Sequence, residues 1–518
     1  MTETNALARA GAVGDRAAPP AGWRHWIALA VILAGTFMTF LDFFIVNVAI
    51  PSTQRDLLAS SAQIQWVVAG YGLAYASCLI TGSRLGDVYG RRRVFMIGLA
   101  VFTLASLACG VAANPATLIT ARVGQGLAAA LLFPQVLSIL GVMYSGTDRV
   151  RAFVAYGMTL GLAAVGGQLI GGALIQADPD GLGWRTCFLI NVPIGALALF
   201  LTPRVVPESR AEDRSRLDLV GAALVTLGLV AVVLPLVDGR EQGWPAWTWI
   251  CLAAAVPLLL AFVGHQRRRA ARGRTPLIDL RLFGERAFSV GVASVLVFYA
   301  GLASYFLVLA LYLQQGNGLN ALDSGLTVTP MGLGFFATTI VARRLATVLG
   351  RHLPSLGALL LAAGLVATSL AAGHIGTTGS VGWIVPALFV DGLGMGMVTA
   401  PLISTVLAGI SPRHAGEASG VLSTMQQVGN AVGVAIIGVI FYGVLGRGAG
   451  RTVAFPDAFR SSLIYVIVLD VALAALVQLL PPNPTRAPTR APTRAPTRAP
   501  DQGLTPGTAG GFADSVGM

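Results

Sequence analysis

Four ionisable residues lie inside long apolar stretches of the chain, where a charged side chain is unusual: Asp42, Arg122, Asp391 and Asp470. Each stretch has about the 20 residues that a helix needs to cross the hydrocarbon of a membrane. A charge at that depth is costly and normally marks a transport pathway or a proton relay. Desolvation favours the protonated form of a carboxyl group and a nearby cation favours the ionised form, so a carboxyl that alternates between two such environments can load and release a proton. The four residues therefore indicate proton-coupled exchange.

Composition favours a membrane protein and excludes a soluble enzyme. Apolar residues make up 55% of the 518 residues and charged residues only 11%, against about 25% charged in a typical soluble domain. Fourteen windows of membrane-spanning length and apolarity follow one another between residues 26 and 480. The four cysteines lie in apolar runs without a CxxC pair, so no disulfide framework is expected.

The arginines set the predicted orientation. All 35 basic residues are arginine, and the cytoplasmic segments of membrane proteins are enriched in Lys and Arg. With fourteen spans and a cytoplasmic N-terminus, 28 arginines fall in cytoplasmic segments and six fall outside. One missed or invented span would destroy this bias, so the sequence predicts that both termini are cytoplasmic.

An internal repeat divides the chain into two halves. Residues 83–92 resemble residues 343–352, with Arg, Leu, Val, Gly and Arg recurring at an offset of 260. Gln125 and Gly126 match Asp391 and Gly392 at an offset of 266. Duplicated halves with a substrate site between them are typical of transporters. As the counterpart of Gln125, Asp391 is expected to face the central cavity, where it attracts a cationic substrate or binds a second proton; alternatively it only hydrogen-bonds to a helix backbone or to a neighbouring Ser or Thr.

The repeat and the spans together predict an all-α membrane protein with two six-helix bundles and an extra two-helix hairpin between them. The expected segments are a disordered cytoplasmic tail (1–22), the first bundle (23–203), the transmembrane hairpin (218–265), a basic cytoplasmic linker (266–287), the second bundle (288–480) and a disordered Pro-Thr-Arg-Ala repeat tail (481–518).

One loop motif resembles that of the major facilitator superfamily. Residues 83–92 are similar to its G-x-L-x-D-x-x-G-R-R motif, with Ser83 in place of the first Gly. The fourteen spans with a central hairpin resemble the fourteen-helix drug:proton antiporters of that superfamily. The resemblance covers residues 24–480 and implies the major facilitator fold.

Further segments are similar to motifs of these antiporters. Residues 41–51 resemble the motif L-D-x-T-I-V-N-V-A-L-P, with Phe44 in place of its Thr. Residues 118–126 resemble L-I-x-x-R-x-x-Q-G, and residues 184–195 resemble W-R-x-x-F-x-I-N-x-P-I-G. Residues 167–172 resemble the antiporter motif G-P-x-x-G-G, with Gln168 in place of the Pro.

The resemblance implies roles for the matched residues. Asp42 and Arg122 would belong to the proton-coupling machinery, with Arg122 controlling protonation of the acid because Arg cannot carry the proton itself; a static ion pair between two helices is the alternative. The loop would act as a conformational latch through Asp87, Gly90 and Arg91. An antiporter-type glycine segment would bend its helix and seal it against leak, or would serve only close packing; it consists of Gly167, Gln168, Gly171 and Gly172.

Other polar residues within the spans are candidates either for lining the cavity or for cross-linking helices. They are Gln125, Gln426, Gln427, Asn430 and Asp470.

The sequence therefore predicts a bacterial plasma-membrane transporter that exports a hydrophobic or amphipathic small molecule, such as a drug or antibiotic, in exchange for protons by alternating access. The proton gradient supplies the energy, membrane lipid is an expected partner, and no enzyme activity, cofactor, metal or nucleic acid is expected. The alternative on the same fold is a proton symporter that imports a nutrient or osmolyte. The scarcity of charged groups favours export, since sites for such solutes need many fixed polar groups. A membrane sensor or membrane-embedded enzyme is disfavoured because the chain has no soluble domain and no catalytic constellation.

Overall fold

A computed structural model describes residues 22–210, 218–274, 276–350, 352–376, 379–408, 415–446 and 451–480. Apart from Gly22, the two predicted tails lie outside the described residues. Fourteen long helices, α1 to α14, occupy the described ranges, and each overlaps one apolar window of the sequence. In chain order they are Trp23–Asp56, Ser61–Tyr89, Arg91–Gly110, Pro115–Met143, Gly146–Ala177, Gly183–Val205, Leu219–Asp238, Ala246–Ala271, Arg286–Leu311, Ala321–Leu349, His352–Ile375, Val385–Ala408, Ala415–Leu445 and Arg451–Gln478.

Two of these helices are sharply bent. α2 bends by 48° between Leu79 and Thr81, and α5 bends by 44° between Ala163 and Gly166. The bend in α5 falls beside the Gly166–Gly167 pair, and adjacent glycines are a common cause of sharp kinks. Within the described residues, 12 helices are long and apolar enough to cross a membrane, and the number rises to as many as 14 if each bent helix is one span.

Helix packing repeats between the two ends of the chain. Among the first six helices, α4 packs against α2 and α3, α1 packs against α5 and α6, and α3 packs against α6. Among the last six, α12 packs against α10 and α11, α9 packs against α13 and α14, and α11 packs against α14. The two sets meet where α2 packs on α13 and where α5 packs on α10, which are again corresponding pairs. α7 and α8 pack on each other, and α7 contacts α2 and α13 at the seam between the sets.

Glycines at corresponding positions let the helices cross closely. Gly126 of α4 faces the backbone carbonyl of Tyr71 in α2, and Gly392 of α12 faces that of Met331 in α10. A Cβ atom at either glycine would overlap the facing carbonyl oxygen. The two carbonyls are 260 residues apart and the two glycines are 266 residues apart, so the offsets of the sequence repeat are also the offsets of the two helix crossings.

We expect Gly126→Ala to destabilise the protein, because the added methyl group forces α4 away from α2. Overpacking of this kind costs about 1–3 kcal/mol, and the midpoint of thermal unfolding of the purified protein in detergent should fall. Gly157→Ala is the control, since a Cβ there meets nothing within 4 Å. Equal midpoints for the two variants would contradict the close crossing.

The turn between α7 and α8 binds to both sets of helices. Asp238 accepts a hydrogen bond from the indole N–H of Trp66 at 3.2 Å, and Glu241 accepts one from the backbone N–H of Ala62 at 2.7 Å. Arg240 donates to the backbone carbonyl of Tyr442 in α13 at 3.2 Å. Because Ala62 and Trp66 belong to α2, this turn connects α2 to α13 at the end of the molecule where α2 begins.

The other end of the hairpin is anchored by Asp218. Its carboxylate accepts a hydrogen bond from the N–H of Gly221 at 3.0 Å, and the side chains of His265 and Gln266 in α8 lie 2.9 Å from its oxygens. Burial raises the pKa of Asp218, but these hydrogen bonds and the charge of Arg269 outweigh burial, so the pKa lies below its usual range. Asp218 therefore holds α7 to α8 as an ionised carboxylate at neutral pH.

Candidate functional site

Asp42 and Arg122 form a fully buried ion pair between α1 and α4. Nη1 of Arg122 donates to Oδ2 of Asp42, and Nε donates to the backbone carbonyl of Val67 in α2 at 2.9 Å. Oδ1 of Asp42 accepts hydrogen bonds from Gln125 at 3.0 Å and from Asn191 at 3.3 Å. The charge of Asp42 is therefore matched by one cation and two amide donors.

Gln125 links this pair to a third helix, α3, while Asn191 links it to α6. Its Nε2 donates to Oγ of Ser106 in α3 at 2.8 Å, and its Oε1 accepts from Nη1 of Arg122 at 2.9 Å. Tyr71 covers the guanidinium, with the ring centroid 4.3 Å from Cζ. We call this network, which joins α1, α3, α4 and α6, the Asp42 centre; its members are Asp42, Ser106, Arg122, Gln125 and Asn191.

A second buried polar network occupies the corresponding helices near the C-terminus. Tyr305 of α9 donates its hydroxyl to Oδ2 of Asp391 at 2.7 Å, and Thr368 of α11 donates to the same oxygen at 3.3 Å. Asp470 of α14 lines the same cavity of about 270 Å³ as Asp391. Asp391 is 0% exposed and Asp470 is 1% exposed. We call these four residues the Asp391 centre.

The two centres correspond helix by helix, with one exception. Asp42 and Tyr305 lie on α1 and α9, Ser106 and Thr368 on α3 and α11, and Gln125 and Asp391 on α4 and α12, at offsets of 263, 262 and 266. Asn191 and Asp470 share the corresponding helices α6 and α14 but are 279 residues apart. The exception is the cation: 266 residues after Arg122 the chain has Leu388, which is buried and apolar. The guanidinium of the Asp42 centre therefore has no counterpart at that position.

The glycine segment of α5 packs closely against α1. A Cβ atom at Gly167 would lie 2.6 Å from Cβ of Phe44, and one at Gly171 would lie 2.6 Å from Cγ1 of Ile45. Gln168, which stands where the antiporter motif has Pro, donates to the backbone carbonyl of Phe44 at 3.3 Å. The segment therefore packs closely on α1, and the bend of α5 lies just before it, between Ala163 and Gly166.

The same segment also contacts α10, which belongs to the other set of helices. A Cβ atom at Gly172 would lie 2.6 Å from the carbonyl oxygen of Ala321. A crevice of about 340 Å³ lies beside this contact, walled by α9, α10 and α12 and, from the first set of helices, by Gln168 of α5. Its walls include Gln168, Phe306, Val328, Met331, Phe335 and Met395.

Of the three amides predicted on α13, Gln427 lies where α13 packs against α2. Asn430 is buried and donates to Oε1 of Gln427 at 3.2 Å, whereas Gln426 and Gln427 are half-buried. A Cβ atom at Gly72 of α2 would lie 3.6 Å from the carbonyl oxygen of Gln427. Gln427 is therefore placed at the seam between the two sets of helices, and Asn430 is bonded to it.

The predicted latch residues lie in the tight turn between α2 and α3. Nη2 of Arg91 is 2.9 Å from Oδ1 of Asp87. Gly90 has a φ of 112°, in a region that favours glycine. Glu208, which follows α6, accepts a hydrogen bond from the N–H of Arg92 at 3.0 Å, and a Cβ atom at Gly90 would lie 2.7 Å from its carboxylate. Glu208, in the segment after α6, therefore holds this turn in place.

Tyr305, Thr368 and Glu208 are not among the residues predicted from the sequence. The first two carry a signal that would have found them, because they lie 263 and 262 residues after Asp42 and Ser106, close to the offsets of the repeat. Glu208 carries no such signal, since it lies in a connecting segment.

Comparisons with known proteins extend over most of the chain. The family model of the Major Facilitator Superfamily matches residues 32–434. The chain is 41% identical over 445 residues to the probable actinorhodin transporter of Streptomyces coelicolor, which covers 86% of this chain and 77% of that protein. It is 37% identical over 469 residues to a cephamycin export protein of Amycolatopsis lactamdurans, with 88% and 94% covered, and 34% identical over 462 residues to a puromycin resistance protein of Streptomyces alboniger, with 88% and 90% covered.

Solved structures share the fold at low sequence identity. A bacterial homologue of the human lysosomal transporter Spinster, inward-facing and unoccupied, has a TM-score of 0.63 at 17% identity and covers 89% of this chain and 97% of that one. A peptide transporter in complex with sulfate has a TM-score of 0.61 at 16% identity, with 87% and 95% covered. At this level of identity the likeness establishes the fold alone.

Proposed function

This chain belongs to the major facilitator superfamily, and we propose that it exports hydrophobic or amphipathic small molecules in exchange for protons. The relatives above are named for actinorhodin transport, cephamycin export and puromycin resistance. These names support export of an antibiotic-like compound by this chain, as a transporter rather than an enzyme.

The observation that carries the proposal is a pair of buried polar centres at corresponding places in the two sets of helices. A structural core has no need of charge in such a position, where an ionised group costs much free energy. We assign proton coupling to Asp42, Arg122 and Asp391, with the proton gradient as the source of energy and without a cofactor. The crevice between the sets is mostly apolar, which suits a hydrophobic substrate.

Alternating access then follows from the two matched sets of helices. We propose that residues 23–203 and 288–480 rock against each other in the plasma membrane of a bacterium, with the hairpin 218–265 at their seam and the linker 266–287 between them. With fourteen spans and both termini in the cytoplasm, the end where α2 begins faces the exterior. The turn between α7 and α8 bridges α2 and α13 at that end, which supports a state closed to the outside.

Transport by inverted membrane vesicles with an imposed proton gradient tests this function. We expect gradient-driven uptake of ethidium, a fluorescent lipophilic cation, or of chloramphenicol, a neutral antibiotic. Uptake should be lost in Asp42→Asn, because Arg122 then loses the only carboxylate that the structure places against it within the described residues.

Asp323→Asn is the matched control, since Asp323 is an exposed carboxyl in the first turn of α10. Uptake that persists in Asp42→Asn would remove Asp42 from the coupling path. Uptake of both compounds in the opposite direction, driven by the same gradient, would favour symport.

A further inference from the structure

The acids of the Asp391 centre lack the cation that the Asp42 centre has. Among the described residues, no arginine or histidine is within ion-pair distance of Asp391 or Asp470, and Leu388 occupies the position that corresponds to Arg122. Two ionised carboxylates held together in a dry interior without a cation repel each other and lose their hydration. Such a pair is stable when it holds a proton.

Each acid also keeps one oxygen without a donor. Oδ1 of Asp391 and Oδ2 of Asp470 are buried and accept no hydrogen bond. Both residues line one cavity of about 270 Å³. A protonated carboxyl can donate its O–H as well as accept, so a single shared proton would satisfy the unpartnered oxygens. The remaining walls of the cavity are almost entirely apolar and include Leu302, Met331, Leu361, Leu365, Met395 and Val466.

The groups that face the pair come from each helix packed around it. α9 contributes the hydroxyl of Tyr305, and α11 contributes the hydroxyl of Thr368, and both donate to Asp391. α10 contributes the apolar side chain of Met331, and α14 adds Val466 beside Asp470. Among these described neighbours none supplies a positive charge, so the pair has to be compensated by a bound cation such as a proton.

Two methionines separate this cavity from the crevice between the helix sets. Met331 and Met395 line both spaces. Methionine side chains are unbranched and adapt their shape easily, so a small movement of these two side chains connects the acids to the crevice. The acids therefore lie beside the path proposed for the substrate.

We propose that Asp391 and Asp470 form the site that carries the coupling proton, shared between them, and that Asp42 and Arg122 serve the coupling as a fixed pair of charges. The role in transport rests on the proposed function, whereas the existence of the site does not. With the proton bound, the O–H of one acid donates to the free oxygen of the other and the pair carries one negative charge. Release of the proton leaves two negative charges beside the crevice, which attract a cationic substrate. Proton and substrate then exclude one another, as exchange requires.

Infrared difference spectroscopy of the purified full chain in lipid vesicles tests the site without any substrate. A neutral carboxylic acid has a C=O band that is separate from carboxylate bands and shifts in D2O. We expect the wild type to show this band at neutral pH, and Asp42→Asn to keep it. The double variant Asp391→Asn/Asp470→Asn should lose it, and each single variant should change the pH at which it disappears. Asp323→Asn, at a surface carboxyl, is the matched control and should leave the band unchanged.

Persistence of the band in a folded double variant would overturn the proposal. Loss of the wild-type band on addition of Na⁺ at constant pH would also overturn it, because the site would then bind sodium instead. The midpoint of thermal unfolding reports whether the double variant is folded, and the two single variants decide the question if it is not.

A transport assay separates this inference from the function on which it rests. In inverted vesicles the double variant should lose the uptake of ethidium that the proton gradient drives in the wild type. Gradient-driven uptake equal to that of the wild type would overturn the proposal. If the wild type itself takes up neither ethidium nor chloramphenicol, the proposed function fails for these compounds, and the infrared result alone decides the proton site.

Discussion

Arg122→Gln is expected to lower the free energy of unfolding by about 3–5 kcal/mol, because removal of one partner leaves a buried charge without compensation. Asp42 is 0% exposed, and its remaining partners would be the amides of Gln125 and Asn191, which carry no charge. Titration of the purified protein with sodium dodecyl sulfate in mixed micelles measures this free energy. We also expect the variant to lose gradient-driven transport.

Two further variants test the cause. Arg151→Gln removes an exposed arginine that pairs with Asp148 at 3.2 Å, and it should cost at most about 1 kcal/mol. The double variant Asp42→Asn/Arg122→Gln should regain part of the stability lost in Arg122→Gln, since neither charge is then left alone. Equal losses in the single and the double variant would show that charge pairing is not what stabilises this site.

Gly172→Leu is expected to abolish transport while leaving the helices folded. A Cβ atom at Gly172 would lie 2.6 Å from the carbonyl oxygen and 2.8 Å from Cα of the facing α10 residues, Ala321 and Leu322. The larger side chain therefore disfavours the state in which α5 and α10 touch. Overpacking costs about 1–3 kcal/mol, and a bias of that size changes a two-state equilibrium by a factor of about 5–150.

Transport in inverted vesicles and chemical labelling measure the two consequences. The labelling rate of Gln314→Cys reports separation of the two sets of helices, because Gln314 is 8% exposed and bonds to the backbone of Val48 across the seam. The four native cysteines are replaced by alanine for this measurement. A membrane-impermeant maleimide should label the introduced cysteine faster in the presence of Gly172→Leu. Gly157→Leu, at an exposed position of the same helix, should change neither readout. Normal transport by Gly172→Leu would exclude a role for this contact in the cycle.

The helices could be predicted from the sequence because each span must be long enough to cross the hydrocarbon of a membrane and apolar enough to lie in it. The window at residues 26–49 falls inside α1, Trp23–Asp56, whose polar ends extend beyond it. The repeat could be predicted as well, because the glycine crossings at Gly126 and Gly392 leave little choice of residue. Because close packing requires glycine at these crossings, the sequence repeat has the same offsets as the crossings in the structure.

The partners of the buried acids could not be predicted in the same way. An apolar window shows how deep in the membrane Asp391 lies but not which neighbouring helix it faces. The sequence is therefore compatible both with a residue that faces a cavity and with one that only hydrogen-bonds to a neighbour. In the structure the residue accepts from Thr368 and lines, with Asp470, a cavity whose walls come from helices of the second set. Its association with Asp470 depends on how α12 and α14 sit around α11, and no local spacing encodes that arrangement.

The turn between α7 and α8 has a consequence for permeability at rest. It bonds to α2 through Ala62 and Trp66 and to α13 through Tyr442, so separating α2 from α13 at this end breaks the bonds to one of them. Each such bond contributes about 0.5–1.5 kcal/mol, and those to charged groups more. In the proposed orientation this end faces the medium. A transporter that is not cycling therefore remains closed on the side where the exported compound accumulates. The hairpin then acts against back-flux, and it matters most when the proton gradient is weak.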